Sequence, residues 1–403
     1  MRYIMVFPVL LCLAAIAFPS TICVPDDYTM IQDAIDAATD GDTIVVRRGT
    51  YFENIEIRDK YIVVKSARGP EVTIIDGMQS MSVVKFDGQQ ASAPILEGFT
   101  LTNGSASKGG GIYCHKSSCP EIINNIIACN HADSGAGIYC KDSSPTISHN
   151  VISGNVANKD GGGIYCYKKY ANPTIINNTV YGNTAGDEGG GIECHDASPE
   201  IVNTIVWHNL APVGPEIHIS RCGAPNVTFC DVRGGYSGTG NIDADPLFVA
   251  AADGDFHILY TSPCRNAGDD TAPSLPAEDF EGDPRIGCGF VDIGADEFYC
   301  HLYATGPVSP SKKFEIMAVG KPRSLATLGL GSGLQDPPLG GVLWLLPPIT
   351  RISMGMIPAS GVLVYNVTGH PNWKPGDSYP FQAIISLPAH GRILTNLMVL
   401  DVE

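Results

Sequence analysis

The sequence is poor in charge. Charged side chains make up 17% of its 403 residues, against about 25% in an ordinary soluble domain. Basic residues are the scarcer kind, 25 Lys and Arg against 42 Asp and Glu, for a formal charge of −17. Nucleic acid is therefore excluded as an expected partner, because phosphate binding relies on a basic footprint. Helical periodicity is nearly absent, which excludes a helix bundle or coiled coil. After the first 23 residues no apolar run reaches the ~20 residues of a spanning helix, so no transmembrane segment is expected. A hydrophobic share of 44% argues against wholesale disorder. What is abundant is punctuation, with 45 Gly and 29 Pro.

Residues 1–23 read as a secretion signal. Arg2 supplies the positive start, Val9 to Ala17 the apolar stretch, and Ala15-Ile16-Ala17 a small-x-small cleavage site. Ser20-Thr21-Ile22-Cys23 resembles a lipobox only loosely, since Ile22 is too large, so lipidation of Cys23 is the lesser alternative. The expectation is an exported monomer, secreted or at the cell surface. Of 13 Cys, Cys12 is lost with the signal. Oxidising surroundings would permit Cys264–Cys288, Cys288–Cys300 or Cys222–Cys230, and the sequence leaves the choice open.

The centre of the chain is a repeat. Gly-Gly-Ile112-Tyr-Cys114, Ala-Gly-Ile138-Tyr-Cys140, Gly-Gly-Ile164-Tyr-Cys166 and Gly-Gly-Ile192-Glu-Cys194 are spaced 26, 26 and 28 residues apart. Pro120, Pro145, Pro173, Pro199 and Pro225, each opening Pro-x-Ile/Val, keep the same period, as do Asn130, Asn155, Asn183 and Asn209. Short period-2 runs between turn residues are strands, and several strands per repeat without a helix define a parallel β-helix. Equivalent residues then stack at roughly 4.8 Å. The Ile rows and the row Cys114/Cys140/Cys166/Cys194 face inward, with Cys as a small core filler. The Asn rows suit left-handed turns and can bond along the stack. Before the repeat, Ile31, Ala34, Ile35 and Ala38 predict a helix within Tyr28 to Asp40, with Thr29 and Gln32 as a capping box and Gly41 as its stop. Such a helix would cover the open first coil.

Two groups of residues carry a resemblance. The first is Tyr28-Thr-Met-Ile-Gln-Asp-Ala-Ile-Asp-Ala-Ala followed by Gly-Asp-Thr-Ile-Val-Val and Gly49-Thr-Tyr-Phe-Glu-Asn. It resembles secreted right-handed parallel β-helix proteins of the pectin-lyase-like superfamily. The second is Gly240-Asn-Ile-Asp-Ala-Asp-Pro-Leu-Phe-Val, Ser262-Pro-Cys-Arg-Asn-Ala-Gly-Asp and Asp292-Ile-Gly-Ala-Asp-Glu-Phe298. It is similar to the closing segment of bacterial surface proteins with a choice-of-anchor type C-terminal region. The resemblance implies an all-β fold. The domains expected are the signal at 1–23, the β-helix with its closing segment at 24–298, and a β-sandwich-like accessory domain at 299–403.

The resemblance also raises polysaccharide cleavage, and each known solution can be checked. Pectin methylesterases share Gly-Thr-Tyr-x-Glu, but their later Asp and Gln motifs have no match. Polygalacturonases use paired aspartates, yet Gly268-Asp269-Asp270 lies in the closing segment without the His and basic partners. A lyase needs a base beside carboxylates that hold Ca²⁺. Asp160, Asp187 and Glu188, just before the glycines, are the candidate Ca²⁺ ligands, with a solvated turn row as the plainer reading. Lys116, Asp142, Lys168 and Asp196 alternate in sign and read as a surface ladder. No residue is assigned a catalytic role.

Between inward Ile and inward Cys, a residue must point out. Tyr113, Tyr139, Tyr165 and Glu193 form that row, and Tyr167 stands just past Cys166. Exposed Tyr rings would offer a platform for sugar rings, and a ring ladder that only stabilises the sheet is the alternative. The acidic residues of 261–298 are expected to cap the last coil rather than bind Ca²⁺. In the tail, strand-like runs at Gly341, Gly361 and Phe381 suggest the sandwich, with Trp373 as a loop contact for sugar or partner. The leading expectation is a carbohydrate-binding or adhesive module. A Ca²⁺-assisted polysaccharide lyase is the alternative, and a rigid spacer the third reading.

Overall fold

The computed structural model describes residues 19–298, apart from 89–92, 260, 276, 280–284 and 286–289; beyond Phe298 it describes the backbone of seven strands. Between Thr21 and Val232 the chain winds as a parallel β-solenoid. Its main sheets hold nine, eight and seven strands, hence about eight coils, and a fourth holds four. One regular coil shows the order. Glu121–Ile123 enters the sheet that follows the repeated prolines, Ile126–Ala128 the next, His131–Ser134 the short fourth, and Ile138–Lys141 the sheet of the tyrosines. Each strand pairs in parallel with its equivalent one coil away, so Ile112, Ile138, Ile164 and Ile192 align, as do the four cysteines.

The predicted inward rows form the core. Ile112, Ile138, Ile164 and Ile192, Ile122, Ile147, Ile175 and Ile201, and Cys114, Cys140, Cys166 and Cys194 are all fully buried in one cluster. Each Ile contributes roughly 1.5–3 kcal/mol by leaving water. The four cysteines are free thiols, and so are Cys222, Cys230 and Cys264. Cys222 and Cys230 therefore do not pair, while Cys288 and Cys300 lie outside the described residues.

Polar ladders run beside this core. Asn130 donates its backbone N–H and its side-chain amide to Asn155 Oδ1, both at 3.0 Å, Asn155 repeats this to Asn183, and Asn183 to Asn209. Asn125, Asn150 and Asn178 form a second ladder, which ends on Thr204. Every ladder amide is buried, so each bond is made where water cannot compete. The left-handed residue is not the ladder Asn but the one before it, as at Asn124, His149, Asn177 and His208.

The predicted helix is shorter, Ile31–Ala37, and the capping box does not form. Glu53, one coil on, accepts the N–H groups of Ile31 and Gln32 at 2.9 and 3.0 Å. Lys60 donates to the carbonyls of Ile35, Asp36 and Ala38. Opposite charges thus sit at the helix ends where the dipole favours them, and Ile31, Ala34 and Ile35 join the solenoid core. Strand Thr21–Val24 pairs in register with Thr43–Val46, and its first three residues fall inside the stretch assigned to the signal.

The closing segment caps the last coil only at its start. Residues 236–242 lie on the last coil, where Ile242 and Asn241 bond to Cys230 and Val227. Phe248–Ile258 and residues 291–295 instead lie along the outside of the sheet that contains Val151–Ser153, Thr179–Tyr181 and Ile205–Trp207, while Ala272 packs on Ile176 and Val202 of the neighbouring sheet. Phe256 and Ala295 cover Val151, and Ile258 and Ile293 cover Ile205 and Trp207. Farther on, Leu302–Thr305, Lys313–Val319 and Val362–Thr368 form one antiparallel sheet. Thr350–Met356, Leu325–Leu330, Ser378–Leu387 and Gly391–Asp401 form another.

Candidate functional site

The outer face of the tyrosine sheet carries two rows of side chains, each neighbour one coil from the next. The first runs Glu56, Lys85, Tyr113, Tyr139, Tyr165, Glu193, His218. The second runs Arg58, Asp87, His115, Lys141, Tyr167, His195, Ser220 in the same pairings. Beside the first row stands a wall, built where the chain leaves the short fourth sheet and turns through Gly135, Gly161 and Gly189. Their φ values of 64–66° suit glycine. The wall presses on the floor: a methyl group on Gly161 would lie 2.6 Å from Cβ of Tyr165, and one on Gly189 2.7 Å from Cβ of Glu193.

That pressure corrects the expected exposure of the row. Tyr139 is 2% exposed, Tyr165 5% and Glu193 1%. The rings of Tyr113, Tyr139 and Tyr165 meet edge to face, with centroids 5.6 and 5.1 Å apart. They form the stabilising ladder that was the alternative to an open platform. Burial pushes the hydroxyl pKa of Tyr139 and Tyr165 well up, so neither ionises near neutrality. The accessible aromatic strip lies elsewhere. Half-buried Tyr113 stacks on His115, with centroids 5.4 Å apart, and half-buried Tyr167 lies 5.1 Å from His195.

At the end nearer the helix the groove opens into a cavity of about 910 Å³ lined by Gln32, Glu56, Lys85, Lys108 and Tyr113. Several charges in and beside it are paired with one another. Lys85 lies 2.8 Å from Glu56 and 3.2 Å from Asp87, Arg58 2.8 Å from Glu56, and Lys116 3.0 Å from Asp87. Burial would raise the pKa of Asp87, but hydrogen bonds from Lys116 and Lys85 outweigh it and hold the carboxyl ionised. The ladder expected from Lys116 to Asp196 is thus only partly formed: Lys168 reaches Asp142 at 3.4 Å, whereas Lys116 turns to Asp87.

The opposite end gathers acid and imidazole. Of the expected Ca²⁺ ligands, Asp160 and Glu188 share one row of the wall, joined by Gly161 N–H to Glu188 O. Asp187 is exposed in the neighbouring row with Lys159. Burial, then the charges of Glu188 and Asp187, raises the pKa of Asp160. Glu188 Oε2 also lies 3.5 Å from His218 Nδ1, and Glu193 Oε2 lies 2.8 Å from the same nitrogen. Ser220 Oγ donates to Glu193 Oε1 at 2.6 Å and sits 2.9 Å from His195 Nδ1. Burial raises the pKa of Glu193 against the opposing hydrogen bonds of Ser220 and His218. Among the described residues, Glu188, Glu193 and His218 form a group able to hold a metal ion.

His218 and Ser220 escape a search for Gly-Gly-Ile-x-Cys, because Pro215-Glu-Ile217-His-Ile replaces that motif. A signal was present nonetheless. Pro225 follows Pro199 by 26 residues, so one more tyrosine-sheet strand had to lie between them, with Ile217 equivalent to Ile192. The carboxylates of the closing segment have other duties. Asp270 accepts from Val291 N–H, Asp296 from Ile258 N–H, and Glu297 from Asp292 N–H. Trp373 lies outside the described residues.

A family profile described as a right-handed β-helix region matches residues 73–211, the regular coils that build most of this face. No curated protein matches the chain. The chain contains a right-handed parallel β-helix, with the groove along its tyrosine sheet.

Proposed function

We propose that this is an exported β-helix protein that binds an extended polysaccharide along the groove of the tyrosine sheet. The observation that carries the reading is two accessible ring pairs on one face, Tyr113–His115 at the mouth of the large cavity and Tyr167–His195 beyond the coil that carries Lys141. Flat rings with polar tips, set whole coils apart along one face, suit an extended ligand of sugar rings. Export is supported by the apolar start of the chain, and cleavage after Ala17 would leave strand Thr21–Val24 whole. Lipidation of Cys23 would remove Thr21 and Ile22 from that strand and disfavours itself. The helix serves as the lid of the first coil. The two tail sheets pack as an accessory sandwich, and the protein acts as a monomer at the cell surface or beyond it.

One observation favours a second reading. Glu193 is a buried carboxyl with a raised pKa, bonded to His218 and Ser220 beneath the groove floor, and a raised carboxyl pKa is one property of a general acid. That arrangement would make the protein a carbohydrate-active enzyme, a metal-assisted lyase among them. A panel of neutral and acidic polysaccharides separates the readings. Saturable binding without turnover, weakened about fivefold or more by Tyr167→Ala, is expected, since one ring–sugar contact contributes about 1 kcal/mol or more. Turnover lost in Glu193→Gln would replace binding with catalysis. Absence of any binding would leave the solenoid as a spacer.

A further inference from the structure

We infer that Glu188, Glu193 and His218 form a site for a first-row divalent cation of the zinc type, at the end of the groove away from the helix. Each ligand comes from a different piece of chain. Glu188 stands on the wall before Gly189, Glu193 on strand Ile192–His195, and His218 directly opposite Glu193 on Ile217–Ser220. Their donor atoms all lie within 4.8 Å of one another.

Two carboxylates converge on a single imidazole nitrogen, at 2.8 and 3.5 Å. Nδ1 carries one proton or one lone pair, so it can satisfy only one of them. The Glu193 side chain is 1% exposed, so water does little to screen it from Glu188. A cation between the three resolves both problems. Bonds of about 2.0–2.1 Å place neighbouring ligand atoms roughly 2.8–3.4 Å apart, depending on coordination number. The two observed separations bracket that range.

The surroundings fit as well. Ser220 Oγ donates to the second oxygen of Glu193 at 2.6 Å, which fixes the carboxylate as outer partners of metal ligands do. The Glu188 side chain is 40% exposed, so the ion would keep coordination positions open toward the groove. The imidazole decides the class of metal: it suits Zn²⁺ and its first-row neighbours, whereas Ca²⁺ and Mg²⁺ prefer oxygen alone. This site differs from the Asp160, Asp187 and Glu188 set expected from the sequence, sharing only Glu188. It also stands independently of the glycan reading.

The test uses untagged full-length protein, stripped with chelator, with every accessible thiol, Cys119, Cys129 and Cys222 among them, blocked by alkylation. Titration calorimetry with Zn²⁺, Mn²⁺ and Ca²⁺, without glycan, reads the site directly. One Zn²⁺ or Mn²⁺ per chain is expected, bound at least tenfold more tightly than Ca²⁺ and weakened about 100-fold by His218→Ala. Circular dichroism checks that the variant folds, and Glu188→Gln, on the half-exposed wall, is the substitute if it does not. No saturable Zn²⁺ or Mn²⁺ binding, a preference for Ca²⁺, or affinity unchanged in the folded variant would each overturn the site. Glycan binding would be untouched by such a failure, because Tyr113 and Tyr167 lie outside the three ligands.

Discussion

At the scale of single residues, burial decides which ionisable groups matter. Glu216 terminates the first asparagine ladder, accepting from the Asn209 side-chain amide at 2.7 Å where the next Asn would stand. Burial pushes its pKa up to about 7, against the hydrogen bonds from Asn209. The folded state therefore binds the proton more tightly than the unfolded state, whose carboxyl titrates near 4.5. The sign follows: this stabilisation is complete below about pH 4.5 and is lost as pH rises toward 7. Glu216→Gln keeps the acceptor and removes the titration. The gap in stability between variant and wild type should grow by about 1–3 kcal/mol from pH 4.5 to 7.5. Denaturant melts across that range measure it, and a gap independent of pH would refute the assignment. Glu216 carried no mark in the sequence, whereas Glu193 was placed in the outward row but not as a buried acid. Alternation marked Glu193 as outward, but an outward residue can still be buried when a second piece of chain leans on it. Only the wall through Gly189, brought back by the winding of the coil, shows that.

At the scale of the element, the repeat was legible because the same physics recurs in every coil. Inward Ile and Cys alternate with outward residues, so period 2 within a strand and a period near 26 between strands could both be read. The reason for the glycines was less legible, since a sequence does not separate a turn from a close approach. Gly137 needs no special φ, yet a methyl group on it would lie 2.4 Å from Gly163 O on the next coil, and Gly163 stands in the same relation to Gly191. Gly154 is the opposite case, with φ of 62° and nothing within 4 Å of an added methyl group. Gly154→Ala should cost only the left-handed strain, about 1–2 kcal/mol. Gly137→Ala must push two coils apart and should cost about 3 kcal/mol or more. Thermal unfolding of the two variants side by side tests this, and equal losses would mean that close approach does not constrain the row. The helix teaches the same lesson. Its apolar periodicity predicted where it lies, but its ends are held by Glu53 and Lys60 from later coils, contacts that no local capping motif announces.

At the scale of the whole molecule, the chain solves a problem that a regular solenoid does not have. Val151, Ile205 and Trp207 point away from the coil interior, as their inward neighbours Ile152 and Val206 show, yet all three are buried. In that sheet the alternation between apolar and polar residues fails, which is the mark of a strand covered on both faces. The cue was in the sequence, in Ile205-Val-Trp207 above all, but it gives no address for the cover. The acidic closing segment supplies it, folded sideways across three coils by Asn177 to Asp292 and Gly294, Ala295 to Thr179 and Asp269 to Asn203. Residues 19–298 hold a continuous core from Val24 to Val232 together with the cover of its outer face by Phe256, Ile258, Ile293 and Ala295. A chain of residues 19–298 should accordingly fold alone, with cooperative melting and a monomeric profile in size-exclusion chromatography. A chain of residues 19–245 keeps every coil but uncovers Val151, Ile205 and Trp207 together. Such a contiguous apolar face should bind a hydrophobic dye and drive self-association. If the shorter chain stayed monomeric with the melting temperature of the longer one, the closing segment would be an ornament to the solenoid. If it aggregates while Trp207→Lys in the same background partly restores solubility, the sideways cover is what lets this β-helix exist as a separate particle.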